Sequence, residues 1–366
     1  MSNVTILSDL VKLQSFNQTN FEIIDYISSF LKKNDIEFKL IKNSIDAKLN
    51  LIAGLNCKLS NLNNAILLCG HIDTVNASKN VWKTNPFRLT ISNGKAYGLG
   101  TADMKSFTAN ILSNVNTLKT FKGFPLVLCL TSDEETVMNG VKQVCSTLQK
   151  FNINPSYAII GEPTQSLPYN CNKGFYETEI TVKGKACHSS MPQNGVNSIV
   201  VASKIINKLN SISKTLDKNS TLNVGIVNGG TLCNIVPELT KIRFEIRTFN
   251  KDLLAKIYNT LNLTFEKLKQ EFLGVKIESN LVFEIPPFKK VANKTLTTVY
   301  NFLGATPQTY AASTEAGFYQ TIGATPLIFG VGNIEDCHKE NEFVCVEEFN
   351  SYFKKLETIL NLLKNK

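Results

Sequence analysis

The sequence lacks the features of several classes of protein. No apolar run approaches the roughly 18 residues of a membrane span. Residues 1–14 contain no basic flank followed by an apolar core, as a secretory signal would require, so we expect a cytoplasmic protein. The nine cysteines include no C-x-x-C pair, which argues against a disulfide framework and favours reduced thiols.

Positive charge is plentiful, but its pattern is not typical of a nucleic-acid interface. The formal net charge is +9, yet the lysines are spread along the chain, without a dense basic run or an interleaved aromatic stripe. A solvated, lysine-rich surface that at most steers anionic substrates is the plainer interpretation. We therefore expect neither a nucleic-acid partner nor a membrane partner.

Apolar and helix-like segments alternate in the flanking parts of the chain. A chain of 366 residues is long enough for two domains that each bury a core. Short apolar runs occur at 65–69, 126–131, 157–161 and 326–330, with helix-like stretches between several of them. This order predicts an α/β domain with a mixed, mostly parallel sheet flanked by helices.

Two amphipathic helices are predicted near the ends of the chain. Thr19 and Glu22 fit a capping box, and apolar residues at helical spacing then predict a helix over 20–34. The last 20 residues place apolar side chains on one face of a closing helix, which we assign to the first domain. These side chains are Phe349, Phe353, Leu356, Leu360 and Leu363.

The middle of the chain has a different order of predicted elements. Between 177 and 288 the pattern predicts strand, helix, two strands, helix and strand. This order matches the ferredoxin-like βαββαβ unit, in which two helices pack on one face of a four-stranded antiparallel sheet. We therefore predict one domain formed by 1–176 and 289–366, with an inserted domain over 177–288. Ile285-Pro286-Pro287 is the predicted return hinge.

The chain has only three histidines, and each lies in a segment that can form a site. His71 follows the first apolar strand, and functional side chains of an open α/β sheet collect at the carboxyl ends of its strands. A lone histidine there is more often a structural residue. Asp73 shares a face with His71 in an extended chain, so it can accept from the ring nitrogen that does not bind metal. The pair favours a ligand role for His71.

Carboxylates follow a glycine-rich turn and another apolar strand. Asp103 comes after a turn with Gly98 and Gly100, and it is either a bridge between two metals or simply an N-cap. Glu134 and Glu135 belong to an acidic cluster directly after an apolar strand. Such a cluster is usually a solvated loop, but one that leaves a buried strand needs a cation to offset its charge.

Two more residues complete the predicted ligand set. Glu162 follows another apolar strand, and the proline after it ends the strand pairing. His338 lies shortly after the last apolar strand. Two histidines and three carboxylates suit zinc first, then cobalt or manganese. Because two ions that share Asp103 can polarise a carbonyl and stabilise a tetrahedral oxyanion, the set predicts amide hydrolysis.

These motifs closely resemble those of the acetylornithine deacetylases, within the co-catalytic zinc family that includes succinyl-diaminopimelate desuccinylases and aminoacylases. The resemblance covers nearly the whole chain. It rests on GHIDTV, Trp82 with NPF at 85–87, YGLGTADMK, DEE, IIGEPT, CHSS, NIVP and the terminal CH. It implies that 1–176 and 289–366 form a catalytic di-zinc domain and that 177–288 is a lid and dimerisation domain.

Carried over residue by residue, the resemblance implies a particular division of the ligands. His71 and Glu162 bind one zinc ion, Glu135 and His338 bind the other, and Asp103 bridges the two. Co²⁺ and Mn²⁺ are the expected substitutes for zinc.

The resemblance also implies roles for residues that bind no metal. Glu134 is the general base, which takes a proton from water and returns it to the departing amine. Asp73 orients the first histidine, and His188 reaches across a homodimer to steady the oxyanion. Asn234 and Arg247 hold the substrate, with the planar fork of Arg247 on a carboxylate. On the residues alone, His188 would be a surface histidine and Arg247 a strand arginine.

Some positions indicate the branch of the family, and others depart from it. The glycine-rich turn, IIGEPT and Thr314-Glu315-Ala316 look more like the deacetylase branch than the desuccinylase branch. Asn76 stands where proline is usual, Ser106 where glycine is usual, and Lys339-Glu340-Asn341 where a proline and an aspartate are frequent. These departures remove no ligand, but they affect the geometry around Lys105 and the last histidine, and with it substrate preference.

The resemblance implies hydrolysis of N2-acetyl-L-ornithine to L-ornithine and acetate, a step of arginine biosynthesis. N-succinyl-diaminopimelate, N-acetylcitrulline or a dipeptide would use the same metals, and a sequence gives no pocket dimensions that distinguish these small N-acyl amino acids. A hypothesis of a different class is a binding protein that keeps the fold without catalysis. The presence of all five predicted ligands and of Glu134 argues against it.

Overall fold

The computed structural model describes residues 3–16, 20–45, 47–77 and 81–364. The chain divides into two compact units, Met1–Cys171 with Phe288–Lys366, and Asn172–Pro287. The boundaries expected from the sequence lie within a few residues of these. The proposed hinge prolines stand at the end of the second unit.

Helices and strands alternate along most of the chain. The helices are α1 Asn3–Lys12, α2 Phe21–Lys33, α3 Ser106–Ser113, α4 Val115–Lys119, α5 Asn139–Lys150, α6 Ser198–Ser213, α7 Lys251–Glu271, α8 Lys294–Leu303, α9 Ala316–Thr321 and α10 Val346–Leu363. The strands are β1 Glu37–Lys42, β2 Leu49–Gly54, β3 Leu62–His71, β4 Thr90–Ser92, β5 Lys95–Tyr97, β6 Leu126–Thr131, β7 Ile153–Ile160, β8 Tyr169–Asn172, β9 Gly174–Lys183, β10 Cys187–His188, β11 Thr221–Gly229, β12 Ile235–Val236, β13 Leu239–Thr248, β14 Lys276–Ile285, β15 Gln308–Tyr310, β16 Thr325–Ile328 and β17 Phe343–Cys345. Short helical turns lie at Pro192–Asn194 and Ile334–Asp336, and Thr101–Lys105 is an irregular turn in which Asp103 and Met104 have non-helical dihedrals.

An eight-stranded sheet forms the centre of the first unit, in the order β1-β2-β6-β3-β7-β16-β8-β15. The strands β6, β3, β7 and β16 run parallel to their neighbours within this group. Antiparallel pairs flank the group on both sides, at β1 with β2, β2 with β6, and β16 with β8. The four central strands contain the four apolar runs of the sequence. The predicted mixed α/β sheet is therefore confirmed, and its parallel part is the centre.

The central strands are buried on both faces, as their continuous apolar runs require. Ile66 and Leu68 of β3 face a core to which α1, α2, α3 and α10 contribute. Because successive strand residues point to opposite faces, Leu67 and Cys69 are buried on the other side, where α5 and α9 contact the sheet.

The start of the second helix differs in detail from the prediction. The helix expected over 20–34 is α2, and Thr19 of the proposed capping box lies outside the described residues. Asn20 precedes the helix, but its side chain makes no capping hydrogen bond. It instead pairs with the main chain of Leu49, donating at 2.8 Å and accepting at 2.9 Å. Asn20 therefore fastens the helix to β2.

The closing helix α10 has the predicted apolar face. All five apolar side chains predicted for that face are buried. Tyr352 on the same helix is fully buried, and its hydroxyl donates to the main-chain oxygen of Phe329 at 2.8 Å. This contact joins the last helix to the end of the central sheet.

The second unit has the order βαββαβ in its long elements, β9, α6, β11, β13, α7 and β14. Its antiparallel sheet has the order β11-β13-β9-β14, and a two-residue ribbon joins β10 to β12. Alternate residues of β13, including Ile242, Phe244 and Ile246, pack in a core with α6 and α7. Both helices therefore cover one face of this sheet.

Within the part of the chain that the structure describes, no helix combines the length and apolar character needed to cross a bilayer. All nine cysteines are free thiols.

Candidate metal centre

The carboxyl ends of the central strands bring the predicted ligands together. His71 is the last residue of β3, and Glu135 follows β6. Glu162 follows β7, and His338 follows β16. Because these strands are parallel neighbours, the segments that leave them lie at one edge of the sheet. Asp103 reaches the same place from the turn before α3.

One group of ligand atoms contains His71, Asp103 and Glu162. A side-chain donor atom from each lies within 4.8 Å of the others. The Nε2 atom of His71 is 2.8 Å from Oδ1 of Asp103. His71 is 1% exposed and Glu162 6%, whereas the side chain of Asp103 is 12% exposed. Three nitrogen and oxygen donors at such separations can hold one metal ion.

A second group contains Asp103 again, with Glu135 and His338, and its donor atoms also lie within 4.8 Å of one another. The Nε2 atom of His338 is 3.3 Å from Oδ2 of Asp103 and 2.9 Å from Oε2 of Glu135. Asp103 therefore faces the two histidines through different oxygen atoms. The structure thus brings together the five side chains that the resemblance implies as ligands, with Asp103 in both groups.

Glu134 lies beside these groups without belonging to either. It lines a cavity of about 210 Å³ together with Asp103, Glu135, Glu162 and His338. Among the described residues, neither ligand group includes Glu134. A carboxylate that is close to two metal positions and remains unligated can accept and return a proton.

Asp73 contacts its neighbours differently from the expectation. The Nδ1 atom of His71 is 3.0 Å from the main-chain oxygen of Asp73, whereas the nearer carboxylate oxygen is 3.6 Å away. The Asp73 carboxylate accepts instead from the main-chain N–H groups of Glu134 and Glu135, at 3.3 and 3.1 Å. Asp73 therefore orients the ring through its main chain and holds the acidic segment through its side chain.

The electrostatics of the centre call for added positive charge. Burial, together with the nearby Glu162, raises the pKa of Glu134 well above its usual range. Burial and the carboxylate of Asp103 raise the pKa of Glu162 to about 8.

Burial alone would lower the pKa of His71, but the carboxylates around it, Asp103 first, raise it well above 6.5. Hydrogen bonds to Asp103 and Glu135 raise the pKa of His338 to about 10. Crowded carboxylates without cations thus take up protons, and two divalent ions fit this donor set in both charge and chemistry.

Two residues of the site were not identified from the sequence. Tyr310 lines the cavity, is 3% exposed, and donates to the main-chain oxygen of Pro163 at 3.2 Å. Glu342 is 2% exposed and accepts from the main chain around Asp103. Their only signal in the sequence is position. Tyr310 precedes the Thr314-Glu315-Ala316 motif, and Glu342 follows His338.

The departures from the family pattern are accommodated locally. Ser106 is buried, and its hydroxyl donates to the main-chain oxygen of Thr101 inside the turn. Lys105 is also buried, and its ammonium donates to the main-chain oxygen of Leu13 at 2.9 Å. Asn341 has a φ of 63°, and its side chain accepts from the N–H of Lys83 at 2.8 Å. A serine and an asparagine thus add hydrogen bonds at these positions.

The remaining predicted residues lie in the second unit. The ring of His188 contacts the hydroxyl of Ser190 at 2.7 Å, and the N–H of Ser189 donates to the main-chain oxygen of Asn234 at 3.1 Å. His188 and Asn234 are therefore close neighbours, and both are exposed.

Arg247 lies on β13, on the face of the sheet opposite the helices. Its Nε and Nη2 atoms donate to the two carboxylate oxygens of Glu245, each at 3.2 Å. The guanidinium also stacks on Phe175, with its carbon 4.9 Å from the ring centre. The planar fork predicted to take a carboxylate thus has the carboxylate of Glu245 as its partner.

Comparison with known proteins gives concordant matches. The family described as "Peptidase family M20/M25/M40" matches residues 67–362. The acetylornithine deacetylase of Photorhabdus laumondii is 33% identical, over 90% of this chain and 87% of its own length. That of Buchnera aphidicola subsp. Schizaphis graminum is 31% identical, over 100% of this chain and 98% of its own length.

Solved structures with the same fold include a tripeptidase from Staphylococcus aureus, with a TM-score of 0.82 and 20% identity over 100% of this chain and 98% of that chain. The Bacillus subtilis YXEP protein, described as a dinuclear metal binding peptidase, has a TM-score of 0.71 and 17% identity over the same shares. These two structures support the mixed, mostly parallel sheet flanked by helices.

Substitution of Asp103 by Ala is expected to weaken both metal positions, because each group uses one oxygen of this carboxylate. Removal of a residue that hydrogen-bonds a metal ligand lowers metal affinity about 10- to 100-fold, and loss of the shared ligand itself should lower it further. Metal content after dialysis measures it, with Glu335→Gln as the control, since Glu335 is exposed in the segment before His338. Retention of two ions by Asp103→Ala would contradict the shared role.

Proposed function

Because this chain belongs to peptidase family M20/M25/M40 and is a metal-dependent amidohydrolase, we propose that it hydrolyses N2-acetyl-L-ornithine to L-ornithine and acetate, in arginine biosynthesis. The proposal is carried by the position of Asp103, whose two carboxylate oxygens face different histidines. Glu134 lies beside it and belongs to neither ligand group. The relatives named acetylornithine deacetylase support the choice of substrate.

We propose two Zn²⁺ ions per chain, with Co²⁺ or Mn²⁺ as substitutes. His71 and Glu162 would hold one ion, Glu135 and His338 the other, and Asp103 both. When bound, such a pair supplies Lewis acidity toward an acyl carbonyl and lowers the pKa of water. The mixture of imidazole and carboxylate donors suits zinc better than metals that prefer only oxygen or only sulfur.

Glu134 is the proposed general base. Its carboxylate accepts a proton from the attacking water and then donates that proton to the nitrogen of the departing amine. Asp73 supports this role, because its side chain holds the main-chain N–H groups of Glu134 and Glu135. The base and the adjacent ligand are thereby fixed by a single carboxylate.

A homodimer formed through the second unit is also proposed. Strand β11 is at the edge of its sheet, and its Ile226 and Val227 are about half exposed. Val200 on α6 and Leu232 beyond β11 add further exposed apolar surface. Unpaired strand edges and apolar patches both favour association with another chain. In this arrangement His188 acts on the substrate at the partner's centre, and Asn234 and Arg247 bind the substrate.

We place the protein in the cytoplasm. The nine free thiols, three of them buried, are consistent with a reducing compartment.

A panel of substrates tests the proposed reaction. Purified zinc-loaded protein should cleave N2-acetyl-L-ornithine with a higher kcat/KM than N-succinyl-diaminopimelate, N-acetylcitrulline or dipeptides. The measurement is release of the free amine under identical conditions. A rival substrate that is cleaved much faster would replace acetylornithine, and absence of all turnover in protein with two bound ions would favour the binding-protein hypothesis.

Substitution of Glu134 by Ala should leave metal content unchanged and lower kcat by about 10²- to 10⁴-fold, because a positioned base contributes that order. Metal analysis and kcat are measured on the same preparation. Val137→Ala is the matched control, since Val137 lies exposed in the same segment and is a member of neither ligand group. Near-normal turnover of Glu134→Ala would assign the proton transfer to another group.

Mixed dimers test the role of His188. His188→Ala and Glu134→Ala chains are each expected to be nearly inactive, but a mixed dimer has one centre with an intact base and a histidine from its partner. After random exchange of subunits, about a quarter of wild-type activity should return, given a two-fold dimer. If mixing restores nothing although mixed dimers form, His188 does not act across the dimer.

A further inference from the structure

Glu342 fills the inside of the turn that carries Asp103. Its carboxylate accepts the main-chain N–H groups of Gly100 at 2.9 Å, Ala102 at 2.7 Å and Asp103 at 3.0 Å. Its own main-chain oxygen accepts the N–H of Gly98 at 3.1 Å. One residue thus binds the turn through both its side chain and its main chain.

Three main-chain N–H groups of the turn depend on this carboxylate for their hydrogen bonds. Buried main-chain N–H groups need acceptors, and three of them in the turn share the two oxygens of Glu342. Gly100 has a φ of 75°, and a Cβ atom there would lie 2.8 Å from Cγ2 of Thr74. The path of the turn is therefore fixed on one side by a close approach of the chain and on the other by Glu342.

The same residue also fixes the segment that carries His338. His338 and Asn341 both have positive φ, at 58° and 63°. Non-glycine residues adopt this conformation at a cost, and they keep it where contacts on either side hold the chain. The imidazole of His338 is held by Asp103 and Glu135, and the end of the segment is held by Glu342.

We propose that Glu342 is a positioning residue that sets the place of Asp103 relative to His338 and thereby tunes the affinity of the metal pair. It joins two ligand segments that are far apart in the sequence, with Gly100 and Glu342 separated by 242 positions. The inference rests on the proposed metal centre. It assigns Glu342 no contact with the metal ions or the substrate.

Glu342→Gln is the informative variant, because it keeps the shape and removes one acceptor. The amide oxygen of glutamine can still accept, but its amino group would meet an N–H donor of the turn. Glu348→Gln is the matched control. The carboxylate of Glu348 accepts from the hydroxyl of Ser166 at 2.9 Å and from the N–H of Gly332 at 3.3 Å, both outside the two ligand segments.

In the experiment, the chelator-treated full-length protein is titrated with Co²⁺ alone. Calorimetry and the visible spectrum of the bound ion measure the binding. Glu342→Gln is expected to bind Co²⁺ about 10- to 100-fold more weakly than the wild type, which is the usual effect of removing a residue that hydrogen-bonds a metal ligand. The spectrum of the bound ion should also change. Glu348→Gln should match the wild type in both. With zinc bound, Glu342→Gln should lower kcat and leave KM nearly unchanged.

If Glu342 has a purely structural role, Glu342→Gln will have a lower melting temperature, but its folded fraction will bind Co²⁺ with the affinity of the wild type. That result would overturn the inference. An equal loss of affinity in Glu348→Gln would overturn it too. If Glu342→Gln does not fold, Glu342→Asp decides by the same titration, where wild-type affinity contradicts the inference and weakened affinity supports it. If the wild type itself binds no pair of ions, the proposed metal centre fails, which is a different outcome from unchanged binding in the variant.

Discussion

The carboxylate of Asp103 is shared between two histidines that come from distant parts of the chain. Its Oδ1 faces His71 and its Oδ2 faces His338, so one planar group fixes the separation of the two imidazoles. Glu135 and Glu162 add two more carboxylates around it, and this concentration of charge in a buried place is unfavourable without cations. The arrangement of the surrounding segments therefore depends on positive charge at the centre, and the binding of cations there depends on the arrangement of the segments.

The parallel centre of the sheet explains how this arrangement is reached. Each of four neighbouring strands ends at the same edge. His71 is the last residue of β3, and each of the other three strands is followed by a segment with a predicted ligand or the base. Rigid strands fix where these segments begin, while hydrogen bonds between segments fix where the side chains point. Asp73 holds the segment after β6, and Glu342 holds the turn with Asp103. The centre is thus supported by carboxylates that bind main-chain N–H groups as well as by those that face the metal positions.

The central strands and the closing helix were predictable because continuous apolar runs and an apolar helix face leave a strong pattern. The edge strands β1 and β15 were not predicted, because both are partly exposed and β15 has only three residues. The ligand residues were predictable from chemically distinctive side chains at strand ends, together with the family resemblance. The partners of Asp73 and the role of Glu342 were not, because hydrogen bonds between segments that are distant in sequence leave no local pattern. Asp73 also shows that a face shared in an extended chain is a poor guide once the strand has ended.

Arg247 illustrates how contacts within one sheet orient a strand arginine. Its guanidinium has Glu245 as a bidentate partner and Phe175 beneath it, so the planar fork is already oriented. In the proposed role, a substrate carboxylate replaces Glu245 at the same edge, and the number of charge-assisted hydrogen bonds stays the same. Such an exchange gives orientation with only a modest gain in binding free energy, because the arginine loses one carboxylate as it gains another. In that role Arg247 contributes more to the orientation of a substrate carboxylate than to the free energy of binding.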